Sequence, residues 1–486
     1  MIKRFLLGLG ALGLAACSGE PAAQVDQAHT RPDVMFEADI LAADLSQALR
    51  FRTISHPLDT RASWDEFQAF RAFLAERFPR IHAQLEPQDL GDGQMLFTWT
   101  GAQADLQPVV FLAHQDVVPI EPGTEDQWSY PPFDGTIAEG YVWGRGTMDM
   151  KGHLITLMHA IERHLENGTQ PQRTLYLSLG PDEEVGGAGA RRAAAYLDAR
   201  GEQAWFALDE GGVTILDSPM TGRPAVMIGV AEKGYMTVQL TARARGGHSS
   251  VPPRDTAVSL LSQAIIAIEA NPFEHSLQDG PTEAMIAALA PDMEGMAGFA
   301  ASNLGLFGGL IEGELMKEDA GRALIGTSIA PTIVEGGVKD NVLPQEARAF
   351  INLRLHPRDT VESALAHLRN SVAHLDGVSI DPWQSPSNAP PVADFTGDAW
   401  QLIAGAAAGH APEGTPIAPF MVTGATDVRA FADTADNLYR YAPMQAAMSD
   451  VSRIHGDDER IAIDSLPSMS AYFYTVIDIA VHRDHD

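Results

Sequence analysis

The chain has 486 residues, of which 45% are hydrophobic, and this apolar content excludes a disordered protein. Lysine and arginine number 33 against 64 aspartates and glutamates, so the net charge is −31 and phosphate backbones would repel the chain, which disfavours nucleic-acid binding. This length predicts at least two domains, and the lack of any apolar run of about 18 residues excludes a multi-span membrane protein.

The N-terminus predicts export and a lipid anchor. Residues 1–16 combine a basic start with a short apolar segment, which is typical of a secretory signal peptide. The sequence LAAC, ending at the single cysteine, Cys17, resembles the bacterial lipoprotein box. We therefore expect lipidation at Cys17, with residues 17–34 as a flexible tether; Ser18 next to it favours the outer membrane, facing the periplasm. The alternative is an ordinary secretory signal with a chance cysteine.

The first half of the chain alternates between predicted helices and predicted strands, which indicates an α/β layer with a largely parallel sheet. Apolar spacing predicts, in chain order, helices over 35–55 and 64–78, strands over 95–99 and 109–113, a helix over 151–165, a strand over 174–179, a helix over 191–199 and a strand over 205–208.

The pattern changes after Gly234. Strands with clean alternation are predicted over 237–244 and 348–355, each followed by a predicted helix, over 256–268 and 360–375, which indicates a small open-faced α+β domain. Residues 271–330 have weak periodicity and receive no assignment, and helical and strand patterns resume at about residue 398.

His114 opens the first cluster of candidate functional residues, directly after a predicted apolar strand. Asp116 lies two residues later, on the same face of an extended chain. A metal-binding imidazole needs a nearby carboxylate to hold it or to tune the site, and this pair fits that requirement.

Acids and glycines form three more clusters. Asp149 lies among glycines before a predicted helix, where a helix N-cap is the alternative interpretation. Adjacent acids at 182–184 repel one another and indicate a cation, although a solvated loop is also possible. In Asp209-Glu210 either acid could be a ligand, and a lone histidine such as His455 is more often structural.

The clusters are more specific as a set. Aspartate, glutamate and histidine without cysteine suit a hard or borderline divalent ion such as zinc. The carboxyl ends of parallel strands gather at one edge of a sheet, where ligands bind. Two metals that share a carboxylate polarise a carbonyl and activate a water.

The combination of HQDVVP, WGRGTMDMKG, DEEVGG and a late histidine resembles the dinuclear zinc aminoacylase and carboxypeptidase family, which includes acetylornithine deacetylase and succinyl-diaminopimelate desuccinylase. LDEGG and SRIHG are most similar to its carboxypeptidase S branch. The resemblance implies two zinc ions per chain, with other divalent ions possible. It assigns His114 and Glu210 to one zinc, Glu184 and His455 to the other, Asp149 to both, Glu183 as general base and Asp116 as the support of His114.

The resemblance also implies substrate-binding residues in an inserted lid. His248, in GGHSS, would reach a partner subunit's active site and stabilise the oxyanion, which makes a homodimer through the lid the expected assembly. Asn341 and Arg354 match positions that hold a substrate carboxylate, and Thr426 and Asp427 match a loop near the site.

We therefore expect an α/β zinc-exopeptidase-like catalytic domain with an inserted α+β lid or dimerisation domain. The catalytic domain would comprise residues 35–235 and 380–486, and the lid residues 236–379. The expected reaction is hydrolysis of the amide bond next to a free-carboxylate amino acid, in Gly-Xaa-type dipeptides or in N-acyl amino acids. The alternatives are a lipid-anchored binding protein on an inactive hydrolase fold and a single-zinc exopeptidase.

Overall fold

The computed structural model describes residues 25–26, 28–30, 34–56, 63–278 and 280–482. The predicted signal peptide, Cys17 and most of the predicted tether lie outside the described residues. Within these ranges, no helix combines the length and the hydropathy needed to cross a bilayer.

Strands and helices alternate along the chain, and each element predicted from apolar spacing is present. Most of the predicted element ends agree with the structure to within a few residues. The strands are β1 (Glu86–Asp89), β2 (Met95–Trp99), β3 (Val109–His114), β4 (Thr136–Ala138), β5 (Tyr141–Trp143), β6 (Leu175–Gly180), β7 (Phe206–Asp209), β8 (Thr214–Ile215), β9 (Ala225–Glu232), β10 (Gly234–Arg243), β11 (Gly247–His248), β12 (Ser328–Gly336), β13 (Val342–Leu343), β14 (Glu346–Leu355), β15 (Val378–Ser387), β16 (Ile417–Val422), β17 (Leu438–Arg440), β18 (Gln445–Ala446) and β19 (Arg460–Ala462). The helices are α1 (Ala38–Leu49), α2 (Trp64–Arg77), α3 (Pro79–Gln84), α4 (Lys151–Glu166), α5 (Ala188–Asp198), α6 (Ala257–Glu269), α7 (Pro281–Leu289), α8 (Gly295–Ala301), α9 (Leu304–Leu315), α10 (Asp319–Ile325), α11 (Val361–Val372), α12 (Asp398–His410), α13 (Met448–Val451) and α14 (Ser465–His482).

A large central sheet has the strand order β1-β2-β6-β3-β7-β17-β9-β8-β18, with β16 paired to β9. Its middle is parallel, because β3 pairs in parallel with both β6 and β7, and β17 with β7. Phe111 packs on one face among α1, α4 and α14, whereas Val110 and Leu112 pack on the other against α5. Helices thus cover both faces, which is why these strands read as continuous apolar runs and why the predicted α/β layer is confirmed.

A second, antiparallel sheet has the order β12-β14-β10-β15. One face packs on α6 and α11, and its core includes Val238, Leu240, Ile351 and Leu353. The predicted α+β fold of this region is confirmed. Strand β15 extends to Ser387 and so crosses the expected domain limit at 379/380, and the exact domain limits stay a prediction.

The unassigned stretch forms the short helices α7 to α10. Met285 and Ile286 of α7 pack with Met227 of β9 and Ala418 of β16, so this part of the expected lid contacts the central sheet. In α9 no residue is buried, which accounts for the weak periodicity of its glycine-rich sequence.

Candidate metal centre

The candidate ligands come together because β6, β3 and β7 are parallel neighbours whose carboxyl ends share one edge. His114 is the last residue of β3 and pairs with Gly180, the last of β6. Glu183 and Glu184 follow β6 in a short 3-10 turn, and Glu210 directly follows β7. The strand ends therefore deliver one imidazole and three carboxylates to the same place.

His114 belongs to one half of the site. Its Nε2 lies 3.0 Å from Oδ1 of Asp149 and 3.3 Å from Oε1 of Glu210. Its Nδ1 lies 2.9 Å from the carbonyl oxygen of Asp116 and 3.3 Å from Oδ1 of the same residue. Asp116 thus fixes the ring orientation and leaves Nε2 for the site.

His455 belongs to the other half. Its Nε2 lies 2.9 Å from Oδ2 of Asp149 and 3.2 Å from Oε2 of Glu184. The two oxygens of Asp149 therefore face different imidazoles, which is the arrangement of a carboxylate shared by two cations. His455 is reached only after 245 further residues from Glu210 (455 − 210), so the long insertion returns to the same sheet edge.

The candidate metal centre concentrates several carboxyl groups that are largely shielded from solvent. Burial, and then Asp149, raises the pKa of Glu210 to about 8, and burial raises the pKa of Glu183 well above its usual value. Burial alone would raise the pKa of Asp149 too, but hydrogen bonds from His114 and His455 outweigh it and lower that pKa. Carboxylates placed this close together need a cation to remain ionised.

The donor set fits a divalent metal. One ligand atom from each of His114, Asp149 and Glu184 lies within 4.8 Å of the other two. Oε1 of Glu184 is buried and has no hydrogen-bond partner among the described residues, as expected of an oxygen that is a metal ligand. Imidazole and carboxylate donors without thiolate suit zinc and similar ions.

Asp209 and Glu210 have different tasks in the structure. Oδ1 of Asp209 accepts the backbone N–H of Glu210 and Oδ2 accepts that of Val428, both at 2.9 Å. Asp209 is therefore a buried anchor between two loops, while the Glu210 carboxylate faces His114.

Asp116 also organises the acidic turn. Its Oδ1 accepts the backbone N–H of Glu183 at 3.2 Å and its Oδ2 that of Glu184 at 3.1 Å. One carboxylate thus ties the proposed base and a proposed ligand to the ring of His114.

The expected lid residues have other surroundings. His248 is exposed on β11, with Nδ1 2.7 Å from Oγ of Ser250. Asn341 is exposed beside β13, and the Arg354 guanidinium lies 4.9 Å from the ring centroid of Tyr235. Within the described part of the chain, no hydrogen bond or ion pair joins these three residues to the His114–His455 centre.

Two buried ion pairs next to the site were not predicted from the sequence. Glu459 pairs with Arg145 at 2.8 Å, and Glu232 pairs with Arg440 at 2.7 Å while it accepts the N–H and hydroxyl of Thr426. The sequence feature that could have pointed to Arg145 is its position inside the WGRG motif. For Glu459 that feature is its position four residues after His455.

Comparison with known proteins agrees with this geometry. The profile of peptidase family M20/M25/M40 matches residues 110–478. The chain is 33% identical to the probable carboxypeptidase S-like 2 of Dictyostelium discoideum over 443 residues (90% of this chain and 84% of that protein). It is 34% identical to the human N-fatty-acyl-amino acid synthase/hydrolase PM20D1 over 421 residues (85% and 82%). The M20 family metallo-carboxypeptidase Sso-CP2 from Sulfolobus solfataricus has the same fold, with a TM-score of 0.64, 16% identity, and coverage of 90% of this chain and 98% of that one. The chain therefore belongs to peptidase family M20/M25/M40 and is a metal-dependent hydrolase of amide bonds.

Proposed function

We propose that the chain binds two zinc ions and hydrolyses the amide bond next to a free-carboxylate amino acid, in Gly-Xaa-type dipeptides or in N-acyl amino acids. One observation carries the two-metal proposal: Asp149 presents its two oxygens to different imidazoles, and each imidazole has a second carboxylate within 3.3 Å. The relatives' names, a carboxypeptidase and an N-fatty-acyl-amino acid hydrolase, support both substrate classes.

The metals, when bound, polarise the scissile carbonyl and lower the pKa of water. His114 and Glu210 would hold one ion, Glu184 and His455 the other, and Asp149 both. Asp116 holds the ring of His114 in one orientation through Nδ1.

Glu183 is the proposed general base. Its backbone N–H is bound by Asp116, while no hydrogen bond within the described residues occupies its carboxylate. Burial raises its pKa well above the ordinary range, which suits a group that first accepts a proton from water and then delivers it to the leaving amine.

We also propose that the site is completed by a second copy of the chain through the small domain. His248 is exposed and has no contact with the His114–His455 centre of its own chain among the described residues. A partner could present it as an oxyanion donor, with Asn341 and Arg354 binding the substrate carboxylate.

The test is turnover by zinc-loaded protein that lacks residues 1–17. Gly-Xaa dipeptides and short- and long-chain N-acyl amino acids should be hydrolysed, whereas their C-terminally amidated counterparts should not.

Glu183→Gln should lower kcat by about 10²- to 10⁴-fold while two zinc ions remain bound. Full turnover by that variant would refute the base assignment, and bound zinc with no turnover of any substrate by the unaltered protein would favour a binding protein. One zinc per active chain would favour the single-zinc exopeptidase.

For localisation, we propose a lipid anchor at Cys17, on the outer membrane facing the periplasm. Cys17→Ala should move the protein from the membrane fraction to the soluble fraction. An unchanged distribution would contradict the anchor.

A further inference from the structure

We propose that Glu459 and Arg145 form a positioning pair that holds Asp149 and His455 in place relative to each other and so sets the metal affinity of the centre, most strongly on the His455 side. The inference rests on the proposed two-metal function. Neither residue is a proposed metal ligand, and in the described structure neither has a hydrogen bond or ion pair with Glu183, the proposed general base.

The Glu459 carboxylate is fully buried and is wrapped by the loop that leads to Asp149. Oε1 accepts the backbone N–H of Met148 at 2.8 Å, of Gly146 at 3.1 Å and of Asp149 at 3.3 Å. Oε2 accepts the N–H of Gly146 at 3.0 Å. Successive backbone N–H groups that converge on one anion form a nest, so the carboxylate determines the path of the loop.

Arg145 connects this nest to His455. Its Nη1 donates to Oε2 of Glu459 at 2.8 Å and its Nη2 donates to the carbonyl oxygen of His455 at 3.1 Å. The guanidinium also lies 5.3 Å from the ring centroid of Trp128. One buried cation thus fixes both the carboxylate that shapes the Asp149 loop and the backbone of the facing ligand.

His455 needs such support. Its backbone has φ of 63°, a left-handed conformation that a non-glycine residue adopts at a cost, and its side chain is 52% exposed. Strand β19 pairs with β5 with Arg460 opposite Trp143, so the two chain segments are already antiparallel neighbours at this point. Through their hydrogen bonds to Asp149 and His455, Glu459 and Arg145 connect the two segments beyond the paired strands as well.

The effect should be stronger on the His455 side, because Asp149 serves both metals whereas only His455, of the two histidine ligands, accepts a hydrogen bond from Arg145. The ring of His114 is held by Asp116 and has no contact with Glu459 or Arg145 among the described residues. Glutamine in place of Glu459 has one acceptor oxygen, and its amide N–H₂ would face N–H donors. The loop and the His455 carbonyl would therefore shift, while the ring of His114 stays held by Asp116.

The experiment is a zinc titration of full-length protein in metal buffers, followed by the visible absorption spectrum of the cobalt-substituted protein. Glu459→Gln should weaken the His455-side site by about 10- to 100-fold and the His114-side site, which shares Asp149, by a clearly smaller factor. Its cobalt spectrum at limiting metal should match that of the intact His114 half, as measured in a His455→Ala variant.

Glu162→Gln is the matched control. Oxygens of Glu162 accept the backbone N–H groups of Arg80 and Ile81 at 3.0 Å each and an Arg80 side-chain N–H at 3.3 Å, but within the described part of the chain Glu162 has no hydrogen bond or ion pair with a proposed ligand. It should lose stability and keep both sites at full affinity. Wild-type affinity at both sites of Glu459→Gln, or equal weakening of both, would overturn the proposal.

A second variant keeps the test decisive if Glu459→Gln does not fold. Arg145→Lys retains the charge but loses the planar guanidinium that donates to Glu459 and His455 together, so it should weaken the His455-side site most, by about 10-fold. Unchanged affinities in Arg145→Lys would overturn the proposal. A wild-type protein that binds fewer than two metals would instead refute the proposed function.

Discussion

At the scale of single residues, the structure separates neighbours that look equivalent in the sequence. Asp209 and Glu210 are adjacent acids after the same strand, but alternation along the chain turns them to different surroundings. Burial raises the pKa of Asp209 to about 6, and two backbone N–H groups oppose that rise. Glu210 instead faces His114 at 3.3 Å.

Two substitutions should therefore have opposite effects. Asp209→Asn replaces an acceptor by an N–H₂ that faces a buried N–H, and should lower the free energy of unfolding of the metal-free protein by about 1 to 3 kcal/mol. Bound zinc should stay at two ions per chain when zinc is saturating. Glu210→Gln should leave metal-free stability unchanged or higher, and should lose the zinc of the His114 half.

Urea unfolding in the presence of chelator and metal analysis after dialysis measure the two effects. Loss of zinc in Asp209→Asn with retention in Glu210→Gln would reverse the assignment of the ligand.

At the scale of elements, helices α12 and α14 close one side of the central sheet and contact each other through a partly buried polar pair. Nε2 of His410, the last residue of α12, lies 2.9 Å from Oγ1 of Thr475 on α14. A histidine at a helix C-terminus is ordinarily favoured as the cation. Here burial dominates and lowers the pKa of His410 to about 4 from an ordinary 6.5.

This shift predicts an acid-sensitive contact. The unfolded chain binds the His410 proton near pH 6.5 and the folded chain near pH 4, so the contribution is fully present above pH 6.5 and is lost as pH falls towards 4. Between pH 7 and pH 5 the unaltered protein should lose about 1 to 2 kcal/mol more stability than His410→Gln. Urea unfolding at both pH values measures it, with the exposed His374→Gln as control. Parallel losses in wild type and His410→Gln would contradict the prediction.

At the scale of the whole molecule, the small sheet leaves an edge and an apolar surface open within the described chain. Strand β12 lies at the edge of that sheet, and Val334 on it is 64% exposed. Ile266 on the neighbouring α6 is also 64% exposed. An unpaired edge flanked by exposed aliphatic side chains suits association with a second copy.

The proposed dimer predicts complementation between inactive chains. In a mixed dimer of His248→Ala and Glu183→Gln, one active site would combine an intact Glu183 with the partner's intact histidine, so turnover should recover to about half that of wild type if each site contributes equally.

Ile266→Glu should yield monomers with low turnover, whereas Leu306→Glu, at a similarly exposed position on α9, should remain dimeric. Coexpression, light scattering and turnover provide the measurements, and a fully active Ile266→Glu monomer would refute the role of the dimer.

The sequence by itself determined the clearly periodic elements outside residues 271–330 and the candidate ligands. Apolar periodicity is a local property, so β2, β3, α4 and α6 could be placed from it to within a residue or two. His114, Asp149, Glu184, Glu210 and His455 could be selected as candidate ligands because the motifs that contain them, in this order, resemble those of the dinuclear zinc aminoacylase and carboxypeptidase family.

Only the tertiary structure decided which groups meet. Glu459 lies 314 residues from Arg145, and its sequence position does not show that the two residues meet, which depends on the β5–β19 pairing. The packing of α7 on β9 and β16 was likewise invisible, because weakly periodic helices gain their buried face from a distant sheet. Long-range pairing and burial change the chemistry of an acid more than its immediate neighbours in the sequence do, and both are properties of the folded chain.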